Sequence, residues 1–186
     1  MNNFWKAALG WVKELLIVVV VVVVFNLFFV VSTVYNVSMY PTLQDRDIVL
    51  LAKFGEIKQG DIVSFRSMLT LSKRDLASVN FFQRLFNREG DRKVLIKRVL
   101  ACPGDTIAIK EGKVYLNGVV LYEPYVKEIY EGKDFEEQVV PENSYFLVGD
   151  NRPRSFDGRD FGFVKKEDII GKVLFRFWPL NRMGKP

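Results

Sequence analysis

The sequence contains no histidine among its 186 residues, and that absence removes more function classes than any motif in it. Ser-His-Asp and Cys-His nucleophilic centres are excluded, and the commonest zinc ligand is missing. There is one cysteine, Cys102, so no disulfide forms within the chain and no thiolate metal cage can be built. Internal repeats are absent. Acidic residues are outnumbered, 22 against 27 Lys and Arg, for a net charge of +5. That mild excess suits lipid headgroups better than a nucleic-acid backbone, and no nucleic-acid partner is expected. If such a chain performs acyl transfer, its base must be a carboxylate, a tyrosine or a lysine of lowered pKa.

What the sequence does have is a long apolar run. Leu15–Val34 carries no charge and includes seven consecutive valines, Val18–Val24. Twenty helical residues reach about 30 Å, the thickness of a bilayer hydrocarbon core. No A-x-A-like cleavage site follows, so the run reads as an uncleaved signal anchor over residues 14–35. Lys6 and Lys13 favour a cytoplasmic side for residues 1–13 and send residues 36–186 outward. Arg46 and Lys53 pull the other way, but long following domains translocate largely regardless of charge.

Beyond the anchor the pattern is β. Short β-branched runs at 47–53, 61–66, 94–101, 106–110, 113–116, 119–121, 145–148 and 172–178 are bounded by turn residues. Asn117-Gly118 is a strong two-residue hairpin signal. Many short strands without alternating long helices predict a mainly β fold, an antiparallel barrel- or sandwich-like domain behind one transmembrane helix. Residues 67–93 interrupt this as an insertion. Leu76, Val79, Phe82 and Phe86 recur at roughly helical spacing among basic residues, although Phe81 and Leu85 fall off the stripe. A surface helix, a membrane-dipping loop and a disordered insertion all fit; the aromatic and basic content suggests contact with lipid.

Three stretches could carry chemistry. Ser38 lies just past the apolar run in Asn36-Val37-Ser38-Met39-Tyr40-Pro41-Thr42-Leu43, where Pro41 fixes its own φ and drives Tyr40 towards extended geometry. Lys97 and Arg98 sit inside Val94–Ala101. Alternation along a strand gives Lys97 the company of Leu95, Val99 and Ala101, and Arg98 that of Ile96 and Leu100. At least one cation is thus set among apolar neighbours. A desolvated lysine can shed its proton, whereas arginine keeps its charge, so Arg98→Lys is expected to be tolerated. An edge strand with both cations reaching water fits the same residues. The third stretch, Gly149–Arg159, is dense in groups that hydrogen-bond locally, with Asp157 and Arg159 spaced to form an ion pair.

Taken together, and in this order behind an anchor, these segments resemble the bacterial type I signal peptidases, membrane-anchored Ser-Lys proteases. The likeness runs through Ser38-Met39-Tyr40-Pro41-Thr42-Leu43, Gly60–Phe65, Lys97–Asp105 and Gly149–Arg159. It implies a signal peptidase that cuts signal peptides from exported preproteins through an acyl-enzyme, with Ser38 as nucleophile and Lys97 as general base. It further implies that Ser155 hydrogen-bonds and orients the lysine, that Asp157 and Arg159 form a structural ion pair, and that no metal or organic cofactor is required. The oxyanion hole would combine the Ser38 N–H with the side chain of Asn36, where the family often has Ser or Thr. Ala101 and Gly158 stand where it commonly has Gly and Ser. Substrates of the family carry small residues at the first and third positions before the cut. A non-catalytic membrane-anchored binding module on the same scaffold, or an organelle inner-membrane Ser-Lys peptidase, fits the same segments.

Overall fold

The computed structural model describes residues 3–70, 92–130 and 132–186. The chain opens with a helix, α1 (Asn3–Phe28), and then becomes β: β1 (Phe29–Thr33), β2 (Ile48–Ala52), β3 (Ile62–Thr70), β4 (Arg92–Ala101), β5 (Thr106–Lys110), β6 (Lys113–Leu116), β7 (Val119–Val120), β8 (Phe135–Val139) and β9 (Ser144–Val148). A one-turn helix, α2 (Gly158–Phe161), precedes β10 (Val164–Lys165) and β11 (Ile169–Trp178).

The apolar run does not stay helical to Val34. Phe29–Thr33 leaves the helix and pairs antiparallel with β2, from Phe29 opposite Ala52 to Thr33 opposite Ile48. The expected anchor 14–35 is therefore divided, and the β domain begins at Phe29, not at residue 36. The helical part that can cross a bilayer is Gly10–Phe28, whose 19 residues correspond to about 28 Å. None of its residues is buried against the rest of the protein, although the Phe25 and Phe28 rings at its end meet Phe29 and Phe54. β-branched residues are equally at home in lipid and in a strand, and here the partner strand decides.

The β domain is antiparallel at every pairing. One sheet has the order β1-β2-β11-β3-β4-β9-β10, and a smaller one the order β7-β6-β5-β8. The Asn117-Gly118 turn joins β6 to β7, with both residues at positive φ (51° and 78°), as a type I′ hairpin demands. The insertion is narrower than its pattern suggested: residues 67–70 extend β3, residues 92–93 open β4, and Thr70 pairs with Arg92. The helical spacing at Leu76, Val79, Phe82 and Phe86 lies outside the described residues.

Three apolar clusters fill the domain. Leu100, Ala101, Ile107, Ile109, Val114, Val140, Phe146 and Val148 join the small sheet to the large one. Val63, Phe65, Val99, Tyr145, Leu147 and Val164 form a second. The third, including Val34, Met39, Leu43, Val49 and Leu51, lies beneath the loop that carries Ser38. β4 runs through the middle of the sheet between β3 and β9, which excludes the edge-strand reading of Lys97 and Arg98. A register shift against β9 between Val99 and Ala101 breaks the alternation there, so Leu100 and Ala101 both enter the first cluster.

Candidate active site

Ser38 is positioned from both sides of its loop. Val34 N donates to Asp47 O and Arg46 N to Val34 O, each at 2.8 Å, closing the loop at its base. The fully buried Asp47 carboxylate accepts from Gln44 N at 2.9 Å and is paired with Arg176 and Arg182. Met39 and Leu43 are driven into the core on the C-terminal side of Ser38, and Leu43 N donates to Met39 O at 2.9 Å. Asn151 grips the loop from across the molecule: its N–H donates to Ser38 O and its Nδ2 to Val37 O, both at 3.0 Å. The serine is left half-buried, with its backbone fixed and its hydroxyl turned to β4.

Lys97 arrives from β4. It is 2% exposed, and its Nζ donates to Ser38 Oγ at 2.8 Å and to Ile96 O at 3.1 Å. Burial lowers its pKa from 10.5 to about 8; Asp157 and then Asp150 oppose the shift, and Arg159 assists it. A lysine in this state is neutral in about one molecule in ten at pH 7, against fewer than about one in a thousand for an ordinary lysine.

Arg98 is buried as well, but differently used. It forks onto Asp150 through Nε (2.8 Å) and Nη2 (2.7 Å), donates to Gly60 O at 2.8 Å, and lies 3.9 Å from the Tyr125 ring centroid. Burial alone would lower its pKa, and the Asp150 carboxylate more than reverses this. Asp150 also accepts from Thr42 Oγ1 at 2.5 Å, so Arg98 helps to hold the Ser38 loop. An ammonium cannot reproduce this fork, so Arg98→Lys should loosen the hold on the Ser38 loop more than the alternation of β4 alone suggests.

Asp157 and Arg159 form the expected ion pair. Arg159 Nε and Nη2 reach the two carboxylate oxygens at 2.9 Å each, and Nη2 also meets Arg152 O at 2.8 Å. The carboxylate accepts from Gly149 N at 3.1 Å and caps α2 through Arg159 N. Burial pushes the Asp157 carboxyl up, but Arg159, Ser155 and the Gly149 N–H together bring it below the usual carboxylate range. Asp157 therefore stays charged close to Lys97.

Ser155 departs from its expected role. No hydrogen bond runs from its hydroxyl to Lys97; the lysine's partners are Ser38 and Ile96. Ser155 Oγ is buried without a partner of hydrogen-bond geometry among the described residues, although it helps to keep Asp157 ionised. It does abut Gly149, where a Cβ would come within 2.2 Å of Ser155 Oγ and 2.6 Å of Ser38 O. Gly149 lets these two serine segments close together. Gly158 is constrained in the same manner, since a Cβ there would meet Leu147 O and the Phe146 ring at 2.9 Å.

Asn36 lies at φ 70° two residues before Ser38, with its N–H donated to Asp45 Oδ1 at 2.8 Å. Neither its side chain nor the Ser38 N–H makes a hydrogen bond among the described residues. Sequence reasoning missed Thr42, Tyr125, Gly149 and Asn151 as parts of this assembly. The density of polar residues at 149–159 and the likeness of Gly149–Arg159 to the family marked the last two, without attaching a role to either.

This arrangement can perform general-base-assisted attack by a serine hydroxyl without histidine or metal. The family described as signal peptidase, peptidase S26, matches the chain over residues 8–178. The chain is 33% identical over 196 residues to "Signal peptidase I S" of Bacillus subtilis (strain 168), covering 97% of this chain and 94% of the relative. It is also 33% identical over 154 residues to "Signal peptidase I" of Leptolyngbya laminosa, covering 80% and 68% respectively. A crystal structure of a signal peptidase I from Enterococcus faecalis V583 is 29% identical, covers 63% of this chain and 97% of its own, and superimposes with a TM-score of 0.45. The chain belongs to the signal peptidase family of serine proteases, peptidase S26.

Proposed function

We propose that the protein is a membrane-bound type I signal peptidase that removes signal peptides from exported preproteins with a Ser38/Lys97 dyad. The observation that carries this is the 2.8 Å contact between Lys97 Nζ and Ser38 Oγ, made by a buried lysine in a chain without histidine. Neutral Lys97 takes the Ser38 proton as Oγ attacks the scissile carbonyl, and the resulting ammonium then protonates the departing amine. An ester to the signal peptide remains. Lys97, neutral again, takes a proton from water as the water attacks the ester, and Ser38 is regenerated. The Ser38 N–H and the Asn36 amide donate to the oxyanion in both halves of the reaction. Asp157 and Arg159 act from behind, on the charge and placement of Lys97, and Ser155 fills the space between them and Gly149.

The membrane part of the proposal rests on α1. Gly10–Phe28 spans the bilayer, Lys6 and Lys13 hold residues before it on the cytoplasmic side, and residues from Phe29 onward form the extracytoplasmic peptidase. Its partners are then signal peptides and membrane lipid. Incubation of the detergent-solubilised protein with a model preprotein, followed by N-terminal sequencing of the product, tests the function. Cleavage after a residue preceded by small side chains at positions one and three is expected. Ser38→Ala, Lys97→Ala and Lys97→Arg should each lose on the order of 10⁴-fold in rate, with Ser38→Ala/Lys97→Ala little worse than either alone. Near-normal turnover by Lys97→Arg would overturn the dyad.

A further inference from the structure

Beside the Ser38 loop, a cavity of about 210 Å³ is lined by Tyr40, Lys127, Glu128, Asp150, Asn151 and Arg154. Two of these residues attach it to the nucleophile: Tyr40 is two positions on from Ser38, and Asn151 holds Ser38 O and Val37 O. The cavity therefore lies against the loop that carries the nucleophile. Its volume equals that of about seven waters, room for one side chain with part of its hydration.

The charges around it do not cancel. Asp150 is neutralised by the Arg98 fork behind it. Lys127 lies over the Tyr40 ring, 5.2 Å from the centroid, and neither it nor Arg154 has an acidic partner among the described residues. Glu128 is the one acid that remains to balance two exposed cations. The apolar side of Ser38 is the opposite case, with Val34, Met39 and Leu43 packed beneath it.

A preprotein is itself two-sided. The signal peptide before the cut is apolar, and the chain after the cut is destined for water. Resting on the peptidase reading above, we infer that this cavity receives the first or second residue after the scissile bond and that Lys127 and Arg154 select an acidic side chain there. Lys127 and Arg154 are specificity residues in this assignment, with no part in the bond-making steps. An exposed ion pair is worth about fivefold in binding at most, so the selection is a bias of about three- to fivefold.

The test uses the full-length protein in detergent and preprotein peptides that differ only at the first or, separately, the second residue after the cut, carrying Asp, Ala or Lys. The readout is the ratio of kcat/KM values within each enzyme. The wild type should favour Asp over Ala over Lys at one of the two positions, and the bias should collapse at about 0.5 M salt, where screening shortens to a few ångströms. Lys127→Gln/Arg154→Gln should level the ratios, and Lys127→Glu/Arg154→Glu should reverse them. A wild type that cleaves all peptides without charge preference, or variants that keep the preference, would overturn the assignment and leave the peptidase intact. Failure to cleave any peptide would instead remove the peptidase reading and the cavity's role with it.

Discussion

Lys97 should make the folded protein less stable at neutral pH than it would be without it. Charging this side chain inside the sheet is unfavourable: its folded pKa is about 8, against 10.5 for an ordinary lysine. At about 1.4 kcal/mol per tenfold in proton affinity, the difference amounts to about 3 kcal/mol. Between pH 8 and 10.5 the unfolded chain binds more protons than the folded one, so wild-type stability rises with pH across that window. Below pH 8 both states are protonated and the penalty stays in full. Lys97→Met keeps the length and removes the charge. It forfeits two hydrogen bonds, to Ser38 Oγ and Ile96 O, worth about 1 kcal/mol each. The variant should thus be about 1 kcal/mol more stable than wild type at pH 7 and about 2 kcal/mol less stable at pH 10.5. Denaturant unfolding of both full-length proteins in detergent micelles, at steps from pH 6.5 to 10.5, reads the difference directly, and other titrating groups cancel in it. A difference that keeps one sign and size over the whole range would refute the reasoning. So would a Lys97→Met protein less stable than wild type at pH 7.

Three further outcomes follow from the same geometry. The pH profile of kcat/KM should rise to a plateau with an inflection near pH 8, and Asp157→Asn should move that inflection to lower pH, because it deletes the strongest charge opposing deprotonation and leaves Arg159 unpaired. A profile unmoved by Asp157→Asn would detach the ion pair from Lys97. Gly149→Ala should cost about 1–3 kcal/mol in stability and on the order of 100-fold in turnover, measured by unfolding and cleavage kinetics, since the new methyl cannot avoid Ser38 O. Arg98→Lys should lower stability by about 1–3 kcal/mol, read by unfolding of the full chain, as the fork to Asp150 is lost from a site where Arg98 is only 8% exposed.

The parts of this molecule legible in the sequence were those whose signal is local. Thr106–Lys110 and Lys113–Leu116 are strands as their β-branched patterns predict, and the Asn117-Gly118 turn joins β6 to β7 because both residues accept positive φ. The Asp157–Arg159 pair was legible for the same reason, two residues of opposite charge across one turn. Phe29–Thr33 was not, because valine and phenylalanine satisfy a bilayer and a sheet equally, and only β2 distinguishes them. β8 escaped because Phe135-Glu136-Glu137-Gln138-Val139 is an exposed edge strand with polar residues where a buried strand would carry apolar ones. The Arg98–Asp150–Thr42 connection joins three segments far apart in the chain, and no spacing rule encodes such a meeting. The Ser38–Lys97 contact is of that long-range kind too. It was anticipated from a resemblance and from the lack of any histidine, never from periodicity.

The passage from α1 to β1 has no linker residue. Phe28 ends the helix and Phe29 begins the strand, while Lys53 ties the helix end to β2 through Phe28 O (2.9 Å) and Asn26 O (2.6 Å). Phe54 adds edge contacts with the rings of Phe28 and Phe29. With α1 as the membrane anchor, this junction works as a bracket in place of a tether. A tethered enzyme would sweep a hemisphere of positions above the lipid, whereas a bracketed one keeps Ser38 at a set height, beyond a strand of about 17 Å. On the membrane reading proposed above, the enzyme would measure its substrate against the bilayer: a signal peptide would be cut where its own emergence from the lipid brings a peptide bond to that level, and length would become a criterion of choice alongside side-chain size.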